Sequence, residues 1–99
     1  MKAVYKEPMK QPEIIDVGNS LTALQHKVQG YIETVVMTHG MVMLCNEEGK
    51  LRGMPINFTY KGDPIAGPVL FVGTDGDQFC DLEYPEQWCE MLEARLCMK

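Results

Sequence analysis

The sequence predicts an α+β fold: a largely antiparallel sheet of about five to six strands with two helices, in the order ββ-α-ββ-loop-ββ-α. Short β-branched and aromatic runs recur along the chain, each closed by Gly, Pro or Asn. Two further segments have helical apolar spacing and recognisable ends. No internal repeat interrupts this alternation, and the helices are expected on one face of the sheet.

Lys2 to Lys6, with Val4 and Tyr5, reads as the first strand. The stretch from Glu7-Pro8 to Pro12 turns the chain, and Glu13 to Val17 pairs back antiparallel. Gly18 ends that strand. Asn19 or Ser20 then caps a helix whose apolar stripe is Leu21, Leu24 and Val28. His26 and Lys27 suit the negative end of its dipole, and Gly30 suits the left-handed position just past its end.

Tyr31 to Met37 is a strand, Thr38-His39-Gly40 a tight connection, and Met41 to Cys45 the returning strand of a hairpin. Asn46 to Gly49 turns again. Lys50 to Asn57 reads as a short helical turn or an irregular loop, and Phe58-Thr59-Tyr60 as a brief extended piece stopped by Lys61-Gly62-Asp63-Pro64. Gly67-Pro68 interrupts the apolar run from Ile65 to Val72. That strand therefore lies at an edge or starts at Val69. After the turn Thr74 to Asp77, Gln78-Phe79-Cys80 can pair back on Val69 to Val72. The last helix opens at Pro85, with Glu83 and Glu86 at the positive end of its dipole. Its stripe is Trp88, Met91, Leu92 and Leu96.

The 99 residues are expected to form one domain, 1–99, with a single modest core. No apolar run approaches the ~20 residues that span a bilayer. Met1 to Glu7 reaches charge too early for a secretion signal, so a cytoplasmic location and reduced thiols are expected. Fourteen acidic residues against nine basic give a net charge of −5. Direct nucleic-acid binding draws on Lys and Arg and is not expected.

Catalysis finds little support in the residues. Cys45, Cys80, Cys89 and Cys97 stand singly, and His26 and His39 have no ligand partner nearby, so neither a metal site nor a cofactor is expected. Asp75-Gly76-Asp77 begins like a calcium loop, but Phe79 and Cys80 occupy positions that need an oxygen ligand and a glycine. Cys45 beside His39 is the sole nucleophile–base pairing the sequence suggests, and an inert core thiol explains Cys45 better. Glu47/Glu48 and Asp75/Asp77 fall in turns, where carboxylates are solvated.

The most informative stretch runs from Cys45 to Asn57, with two glycines, a proline and two asparagines in a short space. Such a composition belongs where a backbone turns sharply or approaches something closely. Gly49-Lys50-Leu51-Arg52-Gly53 could hold an anion through backbone N–H groups, with Lys50 and Arg52 as countercharges.

Pieces spread over nearly the whole chain resemble the domain of unknown function 3846 family, small proteins of phages, plasmids and integrative elements. They are Met1 to Val4, Pro12-Glu13, Leu21 to Leu24, Gly30 to Glu33, Pro55 to Asn57, Asp63 to Gly67 and Val69 to Gly73, with Asn46-Glu47-Glu48-Gly49-Lys50-Leu51 the most specific. At the entry to the last helix, where the family usually has a Ser/Thr-rich segment, this chain has Asp81 to Pro85. The resemblance implies a mobile-element accessory protein and brings no catalytic residues with it.

Two functions of different class are therefore expected. The first is a non-catalytic phage or mobile-element protein that antagonises host immunity by sequestering a small anionic ligand such as a nucleotide signal. Asn46, Lys50, Arg52 and Asn57 would bind it and Tyr60 or Phe58 would stack on a base. A chain this short would enclose a ligand as a homo-oligomer. The second is an acidic inhibitor that docks on a basic host defence protein.

Overall fold

Met41 to Cys45 and Val69 to Val72 are apolar at every position, without the alternation of a half-exposed strand. Such runs belong to strands covered on both faces. The computed structural model, which describes residues 1–38 and 40–96, places them side by side at the centre of a six-stranded antiparallel sheet. The elements are β1 (Lys2–Lys6), β2 (Glu13–Asp16), α1 (Leu21–Val28), β3 (Ile32–Thr38), β4 (Met41–Asn46), β5 (Ile56–Tyr60), β6 (Asp63–Ala66), β7 (Val69–Asp75), β8 (Gln78–Cys80) and α2 (Pro85–Leu96). The sheet runs β2-β1-β7-β4-β3. β8 continues past β1 along the same edge of β7, while β5 and β6 form a separate hairpin.

The α+β order stands as the sequence predicts it, but the helices do not share a face. α1 lies over Ala3, Val42, Leu44, Leu70 and Val72, packing through Leu24 and Val28. The opposite face, with Val4, Met41, Met43, Cys45, Val69 and Phe71, is covered by Phe58 and Ile65 of the hairpin and by Leu92 of α2. The reason is the alternation of side chains along β4 and β7. Successive buried residues point to opposite faces, so each face needs its own cover.

Local details differ from expectation for identifiable reasons. β7 starts at Val69 and is central, because Gly67-Pro68 is where the chain leaves the hairpin for the main sheet. Pro64 lies within β6, in a two-stranded ribbon that does not need its missing donor. β8 pairs with Gly73 to Asp75, since the two-residue turn at Gly76-Asp77 leaves no reach to Val69. Leu21 is 66% exposed because it opens α1 beyond the sheet it covers. In α2, Leu92 is buried with Trp88 and Cys89 packed beside it, whereas Met91 faces outward. His39, Cys97 and the side chain of Leu96 lie outside the described residues.

Ser20 caps α1, its Oγ accepting the Ala23 N–H at 3.1 Å. At the other end the left-handed residue is Gln29 (φ 65°), one position before the expected glycine. The Gly30 N–H reaches Gln25 O and the Gln29 N–H reaches His26 O, the paired bonds of a Schellman motif. Gly30 is required for space instead. A Cβ there would stand 2.7 Å from Asn46 Nδ2 and 2.9 Å from an Arg52 guanidinium nitrogen.

Cover on both faces has a direct test. Met43→Ala and Leu44→Ala, neighbours facing opposite layers, should each lower unfolding free energy in urea by about 2–5 kcal/mol. A cost below about 1 kcal/mol for either would mean that its face is open to solvent.

Candidate functional site

The segment after β4 is one helical turn, built by its own backbone. Asn46 stands where a cap would: its Oδ1 accepts the Glu48 N–H at 2.8 Å and its carbonyl the Gly49 N–H. The Arg52 N–H bonds Glu48 O, the Gly53 N–H Lys50 O and the Met54 N–H Gly49 O. Gly53, at φ 70°, supplies the left-handed residue that closes this second Schellman motif.

The two motifs meet. Asn46, only 6% exposed, donates through Nδ2 to Val28 O at 3.0 Å and Gln29 O at 3.1 Å. Arg52 donates to the same Gln29 carbonyl at 2.7 Å. One amide and one guanidinium thus satisfy the open carbonyls at the end of α1 and fix the loop against it. Lys50 forms an exposed ion pair with Asp63.

Asn57 has a parallel role. It is the extra residue of a bulge between Ile56 and Phe58, which lets its side chain leave the hairpin. Its Nδ2 donates to Lys6 O and Gly67 O, both at 2.8 Å, and its Oδ1 accepts from the Lys6 ammonium at 2.9 Å. Lys6 is 2% exposed and also donates to Glu7 O. This polar cluster pins the hairpin to the end of β1. Tyr60 packs against the core below the hairpin, with the Lys61 ammonium 5.4 Å from its ring centre.

Of the five residues expected to bind a ligand, Asn46 and Lys50 share a groove, while Arg52, Asn57 and Tyr60 face elsewhere. The groove has a volume near 330 Å³ and opens between the sheet at Glu33 and Cys45, the helical turn, and β6. Its charged walls are Glu33, Glu47 and Asp63, against the single cation Lys50. Sequence reasoning did not assign Glu33 or Asp63 to this site. Glu33 arrives because β3 pairs it directly with Cys45, and Asp63 because the hairpin folds β6 over β4.

The groups expected to hold an anion are already engaged or opposed. The side-chain amides are occupied by backbone carbonyls, and Lys50 is outnumbered by carboxylates. Burial first, and then the Glu33 and Asp63 carboxylates, push the Cys45 thiol up to about 11, with Lys50 opposing them only in part. Cys45, Cys80 and Cys89 are free thiols. Among the described residues no group of His, Cys, Asp and Glu is placed to hold a metal ion, and no helix is long and apolar enough to cross a membrane.

The family described as Domain of unknown function (DUF3846) matches residues 1–93. No curated protein and no solved structure matches the chain.

Asn46→Ala removes the donors to two carbonyls and the cap of the helical turn. It should cost about 1–3 kcal/mol in chemical denaturation. Lys50→Ala, which breaks only an exposed pair, should change stability by less than about 0.5 kcal/mol. Cys45 should also resist alkylation in the folded protein. Its thiolate is scarce until the pH approaches 11, whereas the same group unfolded ionises near 9. Peptide mapping after iodoacetamide at pH 8 should find Cys45 unmodified natively and modified in denaturant; native labelling would contradict its burial.

Proposed function

The chain belongs to the DUF3846 family, and from that premise we propose that it is a non-catalytic protein that binds a basic partner through the acidic groove beside β3. The observation that carries this reading is the groove's charge. Glu33, Glu47 and Asp63 face one cation, and that cation is already paired with Asp63. A Lys or Arg side chain of a partner would enter a site of matching sign and size, and the overall charge of −5 would steer the approach. In the phage or mobile-element setting that the resemblance implies, the partner is a basic host defence protein in the bacterial cytoplasm, and the protein acts by occupying it.

Sequestration of a small anionic ligand is the competing reading, and one experiment separates the two. A fluorescein-labelled oligo-lysine peptide should bind, and binding should weaken as salt rises. Glu33→Gln with Glu47→Gln should weaken it by about tenfold or more, about 1.4 kcal/mol. Asp75→Asn with Asp77→Asn, in the turn before β8, should leave it unchanged. Equal loss from both pairs would reduce the groove to general acidity. A nucleotide that raises the melting temperature, while the peptide fails to bind, would return the anionic ligand to first place.

A further inference from the structure

Among the described residues the main path of the sheet ends on β2 and β3, with the three-residue β8 beside β7, and the two end strands differ. β2 is four residues long, begins with Glu13 and ends with Asp16, and has α2 packed beside it. Short length, charge and a covering element are the usual guards of an edge. β3 is seven residues long and contains one charge, Glu33, with neither Lys nor Pro. A bulge at Met37 ends its regular pairing, which leaves Ile32 to Val36 as a straight run.

The direction of its backbone groups follows from the hairpin. The Glu47 N–H bonds the Tyr31 carbonyl at 2.8 Å, and this pair continues the register of Ile32 with Asn46 and Glu33 with Cys45. Antiparallel pairing alternates, so Glu33 and Val35 also turn their N–H and C=O groups toward β4. Ile32, Thr34 and Val36 turn theirs outward. The side chains of those three residues share the face that carries α1. Val36, on that face, is 72% exposed.

We propose that β3 is the interface of a homodimer, two copies pairing antiparallel about a two-fold axis through Thr34. The run Ile32 to Val36 is self-complementary in that register. Thr34 stands opposite Thr34 of the second copy, a favourable cross-strand pair. Ile32 stands opposite Val36, which covers the exposed valine. On the other face Glu33 stands opposite Val35, so no two carboxylates meet head on. The outward backbone groups of Ile32, Thr34 and Val36 all find partners. A continuous sheet results, with the two acidic grooves on one face and the two α1 helices on the other. The inference rests on β3 alone and does not depend on what the grooves bind.

Because each copy carries −5, association should strengthen as salt rises, the opposite of the salt dependence expected for a basic ligand. The test is sedimentation equilibrium of the whole protein at about 100 µM and at a hundredfold dilution, with amide hydrogen exchange at both concentrations. A dimer at the higher concentration is expected, with the amides of Ile32, Thr34 and Val36 protected there and exchanging on dilution. Thr34→Lys sets two cations face to face across the axis and should raise the dissociation constant by about tenfold or more. A monomer at about 100 µM overturns the proposal. So does a dimer in which those amides exchange equally at both concentrations, or one that Thr34→Lys leaves intact. The exchange measurement uses the unaltered chain and stands even if the variant folds poorly.

Discussion

The constraint that shapes this molecule is a pair of central strands, β4 and β7, with no face left for water. An antiparallel pair of this kind ordinarily exposes one side. Here both are apolar, and three layers must be made from 99 residues. One helix suffices for the face with Leu44 and Leu70. The chain covers the other face with α2 and a detached hairpin whose Phe58 ring stacks near Phe71 at 6.3 Å between centres. A two-stranded ribbon is marginal by itself. It is held here by burial of Phe58 and Ile65 and by the Asn57–Lys6 cluster at its base.

Much of this was legible in the residues, and the gaps have physical causes. The first four strands, the Ser20 cap and the Pro85 start follow from local chemistry that tertiary structure did not override, whereas β6 takes in Asp63 and Pro64 from the expected turn. The placement of α1 and α2 on opposite faces was also encoded, in the unbroken apolar runs Met41 to Cys45 and Val69 to Val72. A reading that weighs strands by composition alone passes over that signal. Gln29 was less accessible. A glutamine at φ 65° is uncommon, and the preference for glycine yields there because Gly30 must leave room for Asn46 and Arg52.

The candidate site divides along the same line. Gly, Asn and Pro between Cys45 and Asn57 do mark a place where backbone approaches closely, but the approaching groups belong to the protein itself. An asparagine that caps a neighbouring helix and one that awaits a ligand look alike in sequence. The difference lies in carbonyls delivered from Val28, Gln29, Lys6 and Gly67, distant along the chain. Glu33 and Asp63 are likewise ordinary acids until the β3–β4 register and the fold-over of the hairpin set them around one opening. That opening is shallow and acidic, and its thiol is held protonated.

The order of strands carries a consequence for how the chain reaches its native state. β7 lies between β1 and β4, yet it follows both in sequence and comes after the detached hairpin. Until Val69 to Asp75 is available, β1–β2 and β3–β4 are two separate ribbons with no bond between them. Neither has a buried face, and α1 has nothing broad enough to lie on. On a ribosome the segments that precede β7 must therefore wait for a keystone strand that emerges after them. Closure then joins segments far apart in sequence in one step, which makes assembly slow and all-or-none rather than gradual. In that interval Met41 to Cys45 is an apolar ribbon with an open flank, the state most exposed to association with the wrong chain.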